Sequence, residues 1–485
     1  MSLKKQALSS IFWTTLQQFS NQGIAFIVSL ILARLLMPAE FGLIAMISVF
    51  MAVGRTLIDS GLNQSLIRSS NITQEDLDTV FLFNLIGSVF IYLIVYFTAP
   101  LISNFYKQPL LTNIIRVLCL TFIINAFYTI PNTQLTKNLD FKTQMRVTTP
   151  SLIIGGIVGI ILAYLGFGVW SLVFSTLTQS LAAAIQLWFW SEWKPSWHFN
   201  KRIFKTHFKY GYKLTFSALL DTLFNNVYPI VIGKFFAPAQ VGFFNRADTL
   251  KQLPVTNIGS ILNKVTFPLF SKIKDENERL KILYKKLMQL VIFIVAPTIL
   301  FMSALAEPLF RLLFTEKWLP AVPYFQILCW NGILYPIHSY NLNILKVKGR
   351  SDLFLKLEII KKSMVALLVI VSFQFGIYGL LYGSVIISIL GFFINTYYSG
   401  KFINYSSWQQ IKDIFPILAL AAISSFLVLK FDFFMKNIFK YDFLRIFVSS
   451  IWGLIIYLSI AFAFRVQSLF ELIKIFNYRS FKNNK

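Results

Sequence analysis

Seven basic side chains fall within hydrophobic stretches of this chain: Arg55, Arg116, Arg246, Lys251, Lys264, Lys361 and Lys362. A charge held in apolar surroundings costs about 2.5 to 3.5 kcal/mol on insertion scales, so it usually faces a partner, a cavity or an ion path. Ser48, Arg55, Asp59 and Asn63 follow one another at spacings of seven, four and four, which places them on one helical face. Arg55 and Asp59 can be a self-neutralising pair, or they can handle a charged cargo. Arg246, Asn257, Ser260 and Lys264 lie near multiples of the helical turn and climb about 27 Å along one wall, with Lys251 nearby. They give a polyanion successive cationic stations, unless Pro254 breaks the helix and Asn257 merely caps the break. Ser217, Asp221 and Asn225 repeat at i+4, so a buried Asp221 is a candidate for coupling to H⁺ or Na⁺, as is Asp59. The bland alternative for Asp221 is a silent pair with a residue such as Arg246. Arg116 completes the cationic set, whereas Lys361 and Lys362 are read as snorkelling.

Other reactive types are dispersed. Cys119 and Cys329 have no CxxC or Cys/His spacing, and His198, His207 and His338 give no metal or triad pattern. The cysteines are read as small buried hydrophobes, and no metal or resident cofactor is expected. Gly155 with Gly159, and Gly379 with Gly383, are small-xxx-small pairs suited to close helix packing.

The elements that must position these residues are set by hydropathy. Of the 485 residues 56% are hydrophobic and 13% charged, with mean hydropathy +0.65; soluble domains carry about 25% charged residues. Apolar windows of helical membrane-spanning length recur throughout. The expected fold is an all-α polytopic membrane protein with fourteen spans at 10–35, 41–62, 78–102, 111–130, 147–165, 168–190, 213–235, 241–268, 285–306, 320–344, 355–374, 376–399, 411–430 and 443–465. The eighth is the most polar. The first window runs on to Leu35, longer than a signal core, and is read as an uncleaved helix. Between windows the longest gap, 191–211, is far below the ~50 residues of an independent domain, which excludes a soluble catalytic domain.

A net charge of +25 and a pI near 9.9 also suit a nucleic-acid binder. Here most Lys and Arg sit in short loops, and an inside N-terminus puts roughly three times as many inside as outside, so both termini are expected in the cytoplasm. Trp190, Trp193 and Trp197 suggest an interfacial anchor beside the basic linker. A repeat appears at an offset of about 200 residues. Leu32 to Gly42 (LARLLMPAEFG) matches Ile232 to Gly242 (IGKFFAPAQVG), Leu118-Cys119 matches Leu328-Cys329, and Phe167 to Trp170 matches Phe375 to Tyr378. The expected organisation is a six-helix lobe at 1–190, a basic linker at 191–212, a second six-helix lobe at 213–400, and two further helices with a basic tail at 401–485. Six spans per lobe give both the same orientation, with a substrate site expected between them near the midplane.

Four segments carry a resemblance: ARLLMPAEFG at 33–42, DSGLNQSLIRSSNITQEDLDTVF at 59–81, VGFFNRADTLKQLPVTNIGSILNKVTFPLFSKIK at 241–274, and LKVKGRSDLFLKLEIIKK at 345–362. With the repeat, they resemble the multidrug, oligosaccharidyl-lipid and polysaccharide exporter superfamily, in particular its polysaccharide-exporter branch, the Wzx-type O-antigen flippases. The resemblance implies a transporter, not an enzyme: an inner-membrane flippase that moves undecaprenyl-diphosphate-linked oligosaccharide to the outer leaflet by alternating access. Ion coupling and glycan polymerase partners are also expected. A cation-coupled multidrug exporter of the same superfamily is the alternative, but five basic candidates against Asp59, Asp221 and Asp248 have the wrong sign for cationic drugs. A membrane-embedded glycan polymerase, ligase or glycosyltransferase needs a long outer loop, and a scaffold rarely keeps charges at mid-membrane. Reporters fused after Phe208 and after Asn277 should read cytoplasmic, and one in the turn at Gly168 extracytoplasmic. Opposite signals at two of the three would overturn the fourteen-span topology.

Overall fold

The computed structural model describes the backbone of residues 3–474 and their side chains except 3–8, 257, 258 and 260–265. Asn257, Ser260 and Lys264 therefore lie outside the described side chains. Every regular element among the described residues is helical. The helices are α1 (Leu3–Leu35), α2 (Pro38–Asp59), α3 (Leu62–Arg68), α4 (Gln74–Tyr106), α5 (Leu110–Leu118), α6 (Leu120–Lys137), α7 (Phe141–Tyr164), α8 (Val169–Trp190) and α9 (Lys201–Asn225). They continue as α10 (Val227–Phe235), α11 (Pro238–Lys272), α12 (Asn277–Ala304), α13 (Ala306–Phe314), α14 (Val322–Val347), α15 (Ser351–Phe373), α16 (Gly376–Ile403), α17 (Ser407–Met435) and α18 (Asp442–Ala463). Among the described residues, ten spans are long and apolar enough to cross a bilayer, which makes this a multi-pass membrane protein. The seventh, eighth, tenth and eleventh expected spans are helical but fall outside those ten. Span seven is broken at Asn226, and α11, α14 and α15 are richer in polar side chains.

The chain forms two compact units, Met1–Gly242 and Phe243–Lys485. In the first unit, α2 stops at Asp59 because Ser60 (φ 44°) and Gly61 (φ 65°) are both left-handed, and the chain restarts as α3. Gly61 is needed there on two counts, its φ and its neighbour: a Cβ would lie 2.7 Å from the Gly211 carbonyl oxygen of α9. At the other end of α2 the approach is closer and reciprocal. A Cβ on Gly42 would sit 1.8 Å from the Pro238 oxygen, and one on Gly242 2.1 Å from the Pro38 oxygen, so the backbones touch at equivalent positions of the repeat. Gly155 and Gly159 likewise seat α7 against Gln179 and Ser175 of α8.

The repeat is visible in backbone bonding. Leu36 N donates to Leu32 O and Phe236 N to Ile232 O, each at 2.8 Å. The helix ends at 138–140 and 348–350 share one pattern: Asp140 N to Leu135 O and Arg350 N to Leu345 O, both 2.9 Å, around left-handed Leu139 and Gly349. In the second case the Arg350 fork grips Asp352 at 2.8 and 2.6 Å, holding that carboxyl down to about 2.

Within the second unit two groups of polar side chains are matched to each other. The Asn341 amide of α14 and the Gln410 amide of α17 hydrogen-bond reciprocally at 3.3 and 3.4 Å, with Ser399 and Tyr284 completing the set. Arg445 of α18 meets Asp432 of α17 at 2.7 Å, both nearly buried. Gly42→Ala should lower the melting temperature of the purified protein by several degrees, because overpacking costs about 1 to 3 kcal/mol and the obstacle is backbone that cannot rotate away. Gly23→Ala is the control, since nothing lies within 4 Å of its added methyl. Equal melting temperatures for the two variants would refute the close contact.

Candidate functional site

A cavity of about 540 Å³ lies inside the first unit. The end of α2 contributes Arg55, Ile58 and Asp59, and Asn63 comes from α3 just past the left-handed break. Asn84 belongs to α4, Phe122, Asn125, Tyr128 and Thr129 to α6, and Thr176, Gln179 and Ser180 to α8. The break matters here. It turns the chain so that the Asn63 amide donates back to the Asp59 carboxylate, and no ion pair joins Asp59 to Arg55 among the described residues. Arg55 is accordingly an exposed cation on the wall, not the self-neutralised partner that the i+4 spacing allowed. Deeper in, Asn84 is 1% exposed and neither end of its amide has a hydrogen-bond partner. The Asn63 oxygen is also unpartnered, whereas the Tyr128 hydroxyl donates to Asn132 at 3.0 Å.

Of the expected site residues whose side chains are described, only Arg55 and Asp59 line this cavity. Arg116 stacks on Tyr96, 4.4 Å from the ring centre, and donates to the Tyr96 carbonyl at 3.4 Å. Arg246 is buried in the second unit with its guanidinium 5.1 and 5.3 Å from the Phe314 and Trp318 rings, and Lys251 is buried in a 2.5 Å pair with Asp248. These two are packed cations rather than open stations on a wall. Asp221 and Asn225 are exposed, which departs from the expected buried carboxylate; α9 covers little more than His207 and Gly211. Lys361 pairs with Glu358 at 2.5 Å. Cys119 and Cys329 are free and buried, as expected.

Two readings need correction. His207 is buried between Ser65 and Asp76, its Nδ1 2.8 Å from the Ser65 hydroxyl and its Nε2 3.1 Å from Asp76, so a Ser-His-Asp chain exists although the sequence separates its members widely. Ser65 lies inside α3 and Asp76 in the N-terminal turn of α4, so the chain fastens α9 to both. Trp193 is not an interfacial anchor. It is 5% exposed and packs edge-on against Phe81 at 5.3 Å, in a cluster with Leu62, Leu66, Leu77, Val80 and Ile130. Trp190 and Trp197 remain exposed. The non-helical stretch 191–200 is held down by Asp78, which accepts from the Ser196 backbone at 3.3 Å and from its hydroxyl.

Of the amides missed by the sequence reading, Asn84 and Asn125 sit in apolar windows and Gln179 in a run of hydroxyl residues, Ser175, Thr176, Thr178 and Ser180. A search keyed to amides as well as charges would have found them.

The family described as Polysaccharide biosynthesis protein matches residues 31–323. The lipopolysaccharide biosynthesis protein WzxC of Escherichia coli (strain K12) is 24% identical over 418 residues, covering 84% of each chain. The teichuronic acid biosynthesis protein TuaB of Bacillus subtilis (strain 168) is 25% identical over 354 residues, covering 73% of each. Among solved structures, the lipid II flippase MurJ in an inward closed conformation shares the fold, with TM-score 0.74 over 94% of this chain and 99% of that one at 14% identity. The apolar helices of this chain make it a multi-pass membrane protein with the fold of that flippase. The chain belongs to the Polysaccharide biosynthesis protein family.

His207→Leu should lower the melting temperature, since Asp76 Oδ1 and the Ser65 hydroxyl lose the imidazole at about 1 to 3 kcal/mol while Asp76 Oδ2 keeps Thr73. His207→Gln should recover part of the loss, because an amide can still bridge a donor and an acceptor. Identical melting of wild type and His207→Leu would show that the bridge carries no stability.

Proposed function

We propose that the protein flips an oligosaccharide linked to undecaprenyl diphosphate from the cytoplasmic to the outer leaflet of the inner membrane by alternating access. The observation that carries this reading is the polar cavity within an apolar helical unit, with the Arg55 cation exposed on its wall and unpaired to Asp59. A diphosphate leaving water needs such a charge, and Arg presents a planar fork to it. Glycan biosynthesis in the names of WzxC and TuaB, and the flippase title of the structural neighbour, support the same class. The reading includes fourteen spans, cytoplasmic termini, lobes at 1–190 and 213–400 joined by the linker 191–212, and the additional pair of helices at 401–485. Glycan polymerases are the natural membrane partners. Asp59, inside the cavity, is the leading carboxylate for H⁺ or Na⁺ coupling, with Asp221 and Asn225 second. Lys264 and Asn257 stay as further substrate contacts on α11. Arg246, Lys251 and Arg116 act through packing.

Export of surface glycan in a flippase-deficient cell tests this. Arg55→Gln should cut export roughly tenfold or more at normal membrane abundance, as loss of a hydrogen bond to a charged group of about 1.5 to 3 kcal/mol requires. Arg55→Lys should retain part, and Arg34→Gln, exposed at the end of α1, should be mild. Arg246→Gln should lower abundance as well as export. Full export by Arg55→Gln would refute the assignment of the cavity.

A further inference from the structure

The cavity has a composition that a diphosphate alone does not explain. Its formal charges cancel, Arg55 against Asp59, and most of its polar groups are neutral: the amides of Asn63, Asn84, Asn125 and Gln179, and several hydroxyls. An amide offers a donor and an acceptor side by side, matching the adjacent hydroxyls of a sugar ring. The Asn84 amide is the decisive group. It is held out of water with both ends unpaired, a state that costs free energy unless an occupant completes it.

We infer that this cavity is a glycan-reading subsite that binds a neutral pyranose residue, plain or N-acetylated, through Asn84 and its neighbouring amides. Arg55, on the exposed side, takes the diphosphate to which that glycan is attached. A volume of about 540 Å³ is within the range of small-ligand pockets and many times the ~30 Å³ share of one water or the similar space of a bare cation. Each amide pairs a donor with an acceptor, so adjacent sugar hydroxyls can be answered in both senses. The subsite therefore contributes selectivity among glycans, since a buried amide left unpaired by the wrong sugar penalises that sugar.

The inference rests on the flippase reading, and its test uses binding instead of export so that the two can fail separately. Full-length protein in lipid nanodiscs is melted with methyl glucopyranoside, methyl galactopyranoside or methyl N-acetylglucosaminide at tens of millimolar, and with sodium pyrophosphate or sodium chloride at matched ionic strength. At least one neutral pyranoside should raise the melting temperature of the wild type by a degree or more. Asn84→Leu should melt higher than wild type without ligand, because it removes two unpaired polar atoms, and should lose the pyranoside response. Gln179→Leu should weaken that response and serves as the second variant should Asn84→Leu fail to fold. Stabilisation by sodium or pyrophosphate alone, no response to any pyranoside, or an undiminished response in both variants would overturn the subsite while leaving the Arg55 export result standing.

Discussion

Polar groups in the middle of a bilayer have no water to return to, and the rest of this structure depends on how each one is answered. In the second unit several charged and amide groups are answered internally. Arg445 is closed by Asp432, Lys251 by Asp248, Arg246 by two aromatic faces, and the Asn341 and Gln410 amides by each other. In the first unit some polar groups line a cavity without such partners: Arg55 has no ion pair with Asp59, and Asn84 has no hydrogen bond at all. These charged and amide groups of the second unit thus close on protein partners, whereas the cavity wall of the first unit keeps such groups open.

That division explains why charge alone was a poor guide to the site. Charges in apolar windows mark a conflict with the bilayer, but they do not say whether it is resolved by packing or by a cavity. Arg246 and Lys251 carry the same formal charge as Arg55, and only the positions of Phe314, Trp318 and Asp248 separate them. Phe314 and Trp318 are distant in sequence from Arg246, whereas the Asp248 and Lys251 pair stands at an ordinary i, i+3 helical spacing that the sequence reading did not use.

What was legible follows from period and composition. Hydropathy windows located helices because a helix is the economical way to satisfy a backbone in lipid, and the repeat was legible because turns constrain residue type: Pro at 38 and 238, Gly at 42 and 242, Gly at 168 and 376. The reciprocal meeting of Gly42 and Gly242 is the spatial counterpart of that alignment. Contacts spanning more than a hundred residues were not legible. Ser65, Asp76 and His207 look unrelated in order, and Trp193, in a polar basic stretch, reads as an anchor until Phe81 is seen against it.

The glycine contacts and the cavity also bear on one another. Gly61 lets α2 break within reach of α9, and the same break places Asn63 where it can occupy Asp59. With Asp59 occupied by an amide, Arg55 keeps its charge on the cavity wall. The strained turn and the unpaired amides are both costs to stability, and both lie where an occupant would repay the unit for carrying them.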